Sequence, residues 1–528
     1  MTKQSKKTGI AIVVILLLSA GVLTVRMLLH SRSGLSSYVR AEASARISPD
    51  YAGVVIPPNI APLNFVINEP GRLFCARVFD DSGRLRIEVF SRDGRIRMPQ
   101  KTWQQILQEA RGKSLSVEPF VRDATGKWRR FEPFNLHVAS ESIDEYLVYR
   151  MIHPGYNEWN DVVVYQRRIS TFEQTEILHS HSAYVCMNCH TFSSHKSGRM
   201  VLQIRHPQRG PSMIVAADGK LRKVDLRTER FPRTPSFTSW HPNGNIIAFS
   251  QNRFTQYFHT GGRDEPRDVV DMASDLGIYR LSDASLVYSP KISRPDRLET
   301  YPEWSNDGKH LYFCSAQVPW ETTPDIVEKA YEHWPKIKYD LMRVEFDADI
   351  CSFGQVETLL SSEETSKSMT QPRVSPDGRW LIFVMHNYGT WPVFQDSADL
   401  WMLDLQIRKA RRMSEINTDR TESWHGWSSN GRWIVFSSKR DTGTLSRPYF
   451  SYIDADGKAS KPMLLPQEDP TFYNRFYNNF NLPELSAYPA PVGQRELAQL
   501  VNRPDRTEKG LLMTSANPVQ KGPENRIN

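Results

Sequence analysis

The sequence predicts an all-β chain: a six-bladed β-propeller, preceded by a small β-sandwich and an amino-terminal transmembrane helix. Three observations lead there. A strand–turn–strand unit closed by Asp-Gly or Asn-Gly recurs four times between Thr238 and Leu465. Short alternating runs with turn punctuation fill Leu63 to Val138 before it. One uncharged apolar run, Thr8 to Val25, stands at the amino end.

That apolar run follows Lys3, Lys6 and Lys7. Eighteen helical residues rise about 27 Å, enough for a bilayer's hydrocarbon core. Met27, Leu28 and Leu29 extend it if Arg26 snorkels. No small-x-small cleavage site follows closely; Ala41-x-Ala43 and Ala43-x-Ala45 lie too far on. The reading is an uncleaved anchor over 8–29, a cytoplasmic tip over 1–7 and an extracytoplasmic remainder. Residues 30–58, polar and ending in Pro57-Pro58, read as a linker.

The β-sandwich is expected over 59–138. Arg72 to Phe79 alternates, Asp80 to Gly83 turns, and Arg86 to Ser91 alternates again. A short helix is expected near Thr102 to Ala110. Turn geometry explains this region's Asp and Gly residues, and nothing in it carries chemistry.

The body, 139–465, repeats. Pro302-Glu-Trp-Ser-Asn-Asp-Gly308-Lys-His-Leu-Tyr-Phe matches Pro372-Arg-Val-Ser-Pro-Asp-Gly378-Arg-Trp-Leu-Ile-Phe. His425-Gly-Trp-Ser-Ser-Asn-Gly431 and Thr238-Ser-Trp-His-Pro-Asn-Gly244 open two further copies. The glycine supplies the positive φ of a tight turn. A third strand and a weaker fourth follow, and four strands per repeat make a propeller blade. The pattern resembles the WD40-like (PD40) repeat of TolB-type β-propellers. That resemblance covers Thr238 to Leu465 well and implies fold and binding roles rather than a reaction. Upstream, His190 to Ile204 reads as a divergent copy with a longer turn, and Glu145 to Arg168 as part of another, giving six blades. Residues 466–502 read as a carboxy-terminal extension and 503–528 as a charged, disordered tail.

One motif carries chemistry. Cys186-Met187-Asn188-Cys189-His190 is the C-x-x-C-H attachment signature of a c-type haem. Each thiol adds to one vinyl group of the same porphyrin, and His190 becomes an axial iron ligand. No second C-x-x-C or H-x-x-H pair exists to complete a zinc site. The expected cofactor is one covalent haem c, which an extracytoplasmic body permits. Within the repeat His190 falls where Pro302, Pro372 and His425 fall, at the entry to innermost strands. His425 is therefore a candidate sixth ligand from across the channel, against the plainer reading of a hydrogen-bonded histidine between Trp424 and Trp427. His179, His181 and His195 are the local alternatives; His386, Met200 and Met213 are further ones.

Cys75, Cys314 and Cys351 read as buried strand residues, with a Cys314–Cys351 disulfide as an option. The net charge of +8 is interleaved with acidic residues, so no basic stripe points to nucleic acid. No H-E-x-x-H or G-x-S-x-G is present. The functional expectation is an inner-membrane, single-pass cytochrome with a periplasmic body. It would transfer electrons to a redox partner protein or complex in the periplasm or membrane. A binding scaffold or haem-based sensor is the alternative, and a haem enzyme comes third.

Overall fold

The computed structural model describes residues 35, 37–154, 161–193, 198–229, 231–233, 235–258, 267–319 and 326–513. The expected anchor over 8–29 lies outside the described residues. Among the described residues no helix is long and apolar enough to cross a membrane. The chain is all-β and forms two compact units: residues up to 141 with 466–475, and 142–465 with the residues from 476 on.

The first unit is built on a seven-stranded sheet containing Leu73–Phe79, Leu85–Ser91, Ser114–Arg122, Trp128–Glu132 and Phe134–Val138. A three-stranded sheet and the helix Gln100–Glu109 accompany it; the helix buries Trp103, Ile106 and Leu107. The expected linker is corrected here. Tyr38–Ser44 pairs in parallel with Trp128–Glu132, and Val55–Ile56 with Phe134–Val138. Their partners lie about eighty to ninety residues on, so local composition does not reveal them. Residues 466–475 also belong to this unit, where Asn64 Nδ2 donates to the carbonyls of Gln467 and Glu468 at 3.2 and 3.0 Å.

The second unit is a propeller-like ring of antiparallel sheets. Sheet 1 runs Gln174–His179, Val163–Arg168, Tyr146–Ile152, Asn479–Ser486. Sheets 2 to 6 begin with the inner strands Cys186–Phe192, Pro235–Trp240, Arg297–Trp304, Ser368–Val374 and Glu422–Trp427, and each continues outward in chain order. Each inner strand packs against the next, and Asn479–Ser486 packs against both Glu422–Trp427 and Cys186–Phe192. The ring thus closes with a carboxy-terminal strand in the amino-terminal sheet.

This corrects the carboxy-terminal boundaries. Asn479–Ser486 is part of the ring. The helix Gln494–Val501 buries Leu497, Leu500 and Val501 in the apolar core between sheets 1 and 2. Thr507–Lys509 and Leu511–Leu512 add parallel strands to the outer edges of sheets 2 and 3. Edge addition uses main-chain hydrogen bonds and so tolerates polar composition.

The repeated turn has a common chemistry. Ser305 Oγ reaches Asp307 Oδ1 at 2.6 Å, that carboxylate accepts from Lys309 N at 3.0 Å, and Ser305 Oγ accepts from His310 N at 2.9 Å. Ser375, Asp377 and Trp380 repeat the pattern, as do Ser428, Asn430 and Trp433. His241 replaces the serine in sheet 3, and its Nδ1 accepts from Asn243 N at 3.1 Å.

Gly308 and Gly378 occupy equivalent left-handed positions, with φ of +71° and +73°. A Cβ on Gly378 meets nothing within 4 Å, whereas one on Gly308 would lie 2.3 Å from His241 Nε2. That ring nitrogen already bonds the Gly308 carbonyl at 3.0 Å. Gly378→Ala should cost about 1–2 kcal/mol from backbone conformation alone. Gly308→Ala should cost about 1 kcal/mol more through loss of the His241 contact. Paired urea denaturation checks this; equal midpoints would show that His241 yields freely.

Candidate functional site

Every inner strand carries a β-bulge. The register slips between Ser236 and Thr238, Thr300 and Glu303, Thr370 and Arg373, and Ser423 and Gly426. A further bulge in sheet 1 falls at Leu482. Phe237, Tyr301, Gln371, Trp424 and Leu482 sit at these bulges with φ between +36° and +55°. Side chains this large rarely adopt such backbone, and five repetitions of the strain around one ring mark the axis as a built feature.

In sheet 2 the bulge falls inside the pentapeptide. Met187 pairs with Ile204 and His190 with Leu202, so Asn188 and Cys189 together oppose Gln203. In a regular strand, residues three apart point to opposite faces. The extra residue resets that parity. Cys186 and Cys189 consequently line the same cavity, of about 1230 Å³. Cys189, like Leu482, packs against the axial cluster that contains Phe237, Tyr301 and Trp424. Burial pushes its thiol pKa up, against the nearby Arg150 and Arg205 guanidiniums and the Phe237 backbone.

His190 faces the other way, into a second cavity of about 140 Å³. Trp424 and Leu482 line both cavities and form part of the partition. The imidazole is buried, and its ring nitrogens make no well-formed hydrogen bond, only weak interactions with the Leu482 and Val148 backbone that favour its charged form. Burial, reinforced by the Arg150 guanidinium, lowers its pKa to about 3. Glu484 Oε2 stands 4.0 Å from Nε2. That carboxyl accepts from Phe192 N at 2.8 Å, and burial raises its pKa to about 8. The same cavity holds the Arg373–Glu303 ion pair, at 2.8 Å. The thiols and the imidazole of the motif therefore open on opposite sides of the axial ring.

His425 lines the smaller cavity with His190, from the sheet on the far side of sheet 1. Its Nε2 donates to the Ile382 carbonyl at 3.0 Å, and Nδ1 is buried without a partner. His179 and His181 stand outside both cavities, at the short helix Ser180–Ala183, where His179 Nδ1 accepts from His181 N at 3.1 Å. His195 lies outside the described residues. Met200 and Met213 fill apolar cores. Among the described residues no three His, Cys, Asp or Glu side chains gather as a metal cluster.

All five cysteines are free. Cys314 is buried in the axial cluster with Tyr301. Cys351 belongs to a different core and sits in a turn at φ +50°, not in a strand; its Sγ lies 3.6 Å from Arg280 Nη1.

The large cavity holds residues the motif does not announce. Phe237, Phe254, Trp391, Phe394 and Trp424 give it an aromatic side, and Arg150, Arg205, Arg233, Arg253 and Arg267 a cationic one. A usable signal was the polar run Ser250 to Arg253 continuing the apolar strand Ile246 to Phe249.

No protein-family model matches the chain, and no curated protein matches it. Solved structures with loosely similar architecture include prolyl oligopeptidase B from Galerina marginata, at 11% identity over 66% of this chain and 42% of that one, TM-score 0.34. This chain thus spans less than half of that enzyme's length. An oligogalacturonate lyase in complex with manganese shares 11% identity over 65% and 87% of the two chains, TM-score 0.32. A Synechocystis apocarotenoid oxygenase mutant shares 12% over 83% and 97%, TM-score 0.37.

His386 offers a pH test away from the cavities. It is fully buried, its Nε2 lies 3.1 Å from Thr370 Oγ1, and burial lowers its pKa to about 4. Below the ordinary histidine pKa of about 6.5 the unfolded chain takes up a proton that the folded chain refuses. Stability therefore falls as pH falls, by about 2 kcal/mol from this group between pH 7 and 5. His386→Gln should flatten the pH 5–7 dependence of unfolding free energy by that amount, and an unchanged slope would assign the acid sensitivity elsewhere.

Proposed function

We propose that this chain is an extracytoplasmic c-type cytochrome, anchored in the inner membrane and built on a six-bladed propeller of TolB type. It passes electrons to a periplasmic or membrane redox partner through one covalent haem. The observation that carries this reading is the pair of thiols, Cys186 and Cys189, brought to one side of an aromatic-walled cavity by a bulge. These two residues would hold the porphyrin through thioethers, and His190, whose ring nitrogens make no well-formed hydrogen bond, would ligate the iron. Haem when bound supplies a one-electron couple. The aromatic residues of the cavity would shield the macrocycle from water, and its guanidiniums would offset carboxylate charge. For His190 to ligate, its ring must leave the smaller cavity for the larger one.

A haem-based sensor or enzyme with an open iron site is the second reading. It is favoured by the place of His425 in the smaller cavity, across the partition from the two thiols.

Acid-acetone extraction of exported protein should leave haem on the polypeptide, and Cys186→Ala with Cys189→Ala should lose it. Freely extractable haem would sink the cytochrome reading. The absorption spectrum then separates the two readings. Low-spin iron that turns high-spin in His425→Ala identifies a cross-channel ligand. Low-spin iron that responds instead to His181→Ala or His179→Ala identifies a local one. High-spin iron in the wild type supports the sensor or enzyme reading.

A further inference from the structure

Among the described residues, the lining of the large cavity carries more arginines than carboxylates, which the cysteine motif does not explain. Arg294 and Arg297 in its lining are neutralised by Asp296 and Asp340, each at 2.7 Å. Arg267 donates to the Pro154 carbonyl at 3.2 Å and lies over the Phe394 ring at 4.7 Å. Arg150, Arg205, Arg233 and Arg253 have no carboxylate within ion-pair distance among the described residues. Arg150 is 9% exposed, gives Nη1 to the Met187 carbonyl at 3.1 Å, and has a buried, unpartnered Nε. Arg205 faces the Asn188 side-chain amide, whose oxygen accepts from it at 3.1 and 3.2 Å once the amide is turned over. Among the described residues the lining carboxylate is Asp275, which accepts from Ser293 Oγ at 2.7 Å.

These four guanidiniums fall into two groups. Arg205 pairs with Cys186 across the strands and Arg150 holds the Met187 carbonyl, so both stand at the thiol end. Arg233 and Arg253 come from sheet 3 and the segment leading into it. Burial lowers the Arg233 pKa; Asp275 and Asp271 oppose that, and the neighbouring Arg253 charge adds to it. Phe237 and Phe254 come from the same sheet, and Trp391 closes on both rings at 6.2 and 5.2 Å. Two like charges beside an aromatic wall match one ligand chemistry: a planar apolar body with carboxylates at one edge. Thioether attachment would account for two such groups, because a haem's vinyl groups and its two propionates lie at opposite edges of the ring.

We propose that Arg233 and Arg253 form a carboxylate-binding site in this cavity, with Phe237, Phe254 and Trp391 receiving the apolar body of the same ligand. The proposal deepens the cytochrome reading, in which the propionates of the attached haem fill the site. The same chemistry admits a separate aromatic carboxylic acid. Both carboxylates bind as anions through charge-assisted hydrogen bonds, with no bond made or broken.

The test uses full-length Cys186→Ala/Cys189→Ala protein and free porphyrins, so it does not depend on covalent attachment. Protoporphyrin IX should bind roughly tenfold tighter than its dimethyl ester by fluorescence titration. Arg233→Gln/Arg253→Gln should erase that preference. Arg233→Lys/Arg253→Lys should keep most of it, which separates charge loss from misfolding. Equal affinity for acid and ester, no binding of either, or a preference that survives the glutamine variant would overturn the proposal. Equilibrium dialysis of the haem-carrying wild type against 2-naphthoate identifies the source of the carboxylate. Exclusion assigns the arginines to the propionates; uptake that Arg233→Gln/Arg253→Gln abolishes assigns them to a separate acid. Haem staining of denatured wild type judges the cytochrome reading independently, since a chain without covalent haem can still pass the porphyrin test.

Discussion

The antiparallel pairing of Asn479–Ser486 with Tyr146–Ile152 holds the second unit together. It joins segments more than three hundred residues apart and supplies sheet 1 with its inner strand. Without it, sheet 6 and sheet 2 would each face a gap, and the axis around which both cavities form would be open on one side. The closing strand also delivers Leu482 to the partition and Glu484 to the neighbourhood of His190. Closure and site construction are therefore one event, and the entropy of bringing distant strands together is offset by a complete ring of inter-sheet apolar packing.

Given closure, the bulges decide what the axis can do. A straight inner strand would put Cys186 and Cys189 on opposite faces. One extra residue puts both thiols on one cavity and turns His190 toward the other. The same device in the other sheets forces bulky residues into left-handed backbone, where they meet around the axis. The partition that results separates a large cationic and aromatic cavity from a small one lined by His190, His425, Glu303, Arg373 and Glu484. Burial raises Glu484 to about 8 and lowers His190 and His425 to about 3, so imidazoles and carboxyl alike favour their neutral forms there.

Local chemistry made much of this legible. The Ser-x-Asp-Gly turns announce themselves because serine, aspartate and glycine perform their hydrogen bonding and positive φ within six residues. The thiol pair was readable because the C-x-x-C-H pattern lies within five consecutive residues. Long-range pairing was not readable. Tyr38–Ser44 looks like linker and Thr507–Lys509 like a solvated tail, because an edge strand is stabilised by a neighbour's main chain and leaves little trace in side-chain pattern. The arginine wall was equally hidden, since its members come from separate strands and loops.

The sequence by itself determined the repeating turns, the β class and the C-x-x-C-H pentapeptide, each a property of residues a few positions apart. Tertiary structure alone decided that the carboxy-terminal strand closes the ring and that the two thiols share a cavity. It also decided that His190 opens on the other side, and that His425 spends its Nε2 on a backbone carbonyl. The division has a physical cause. Turn geometry is set by bonded neighbours, whereas side-chain direction past a bulge, and the partner a buried imidazole finds, depend on atoms brought together only when distant strands pair.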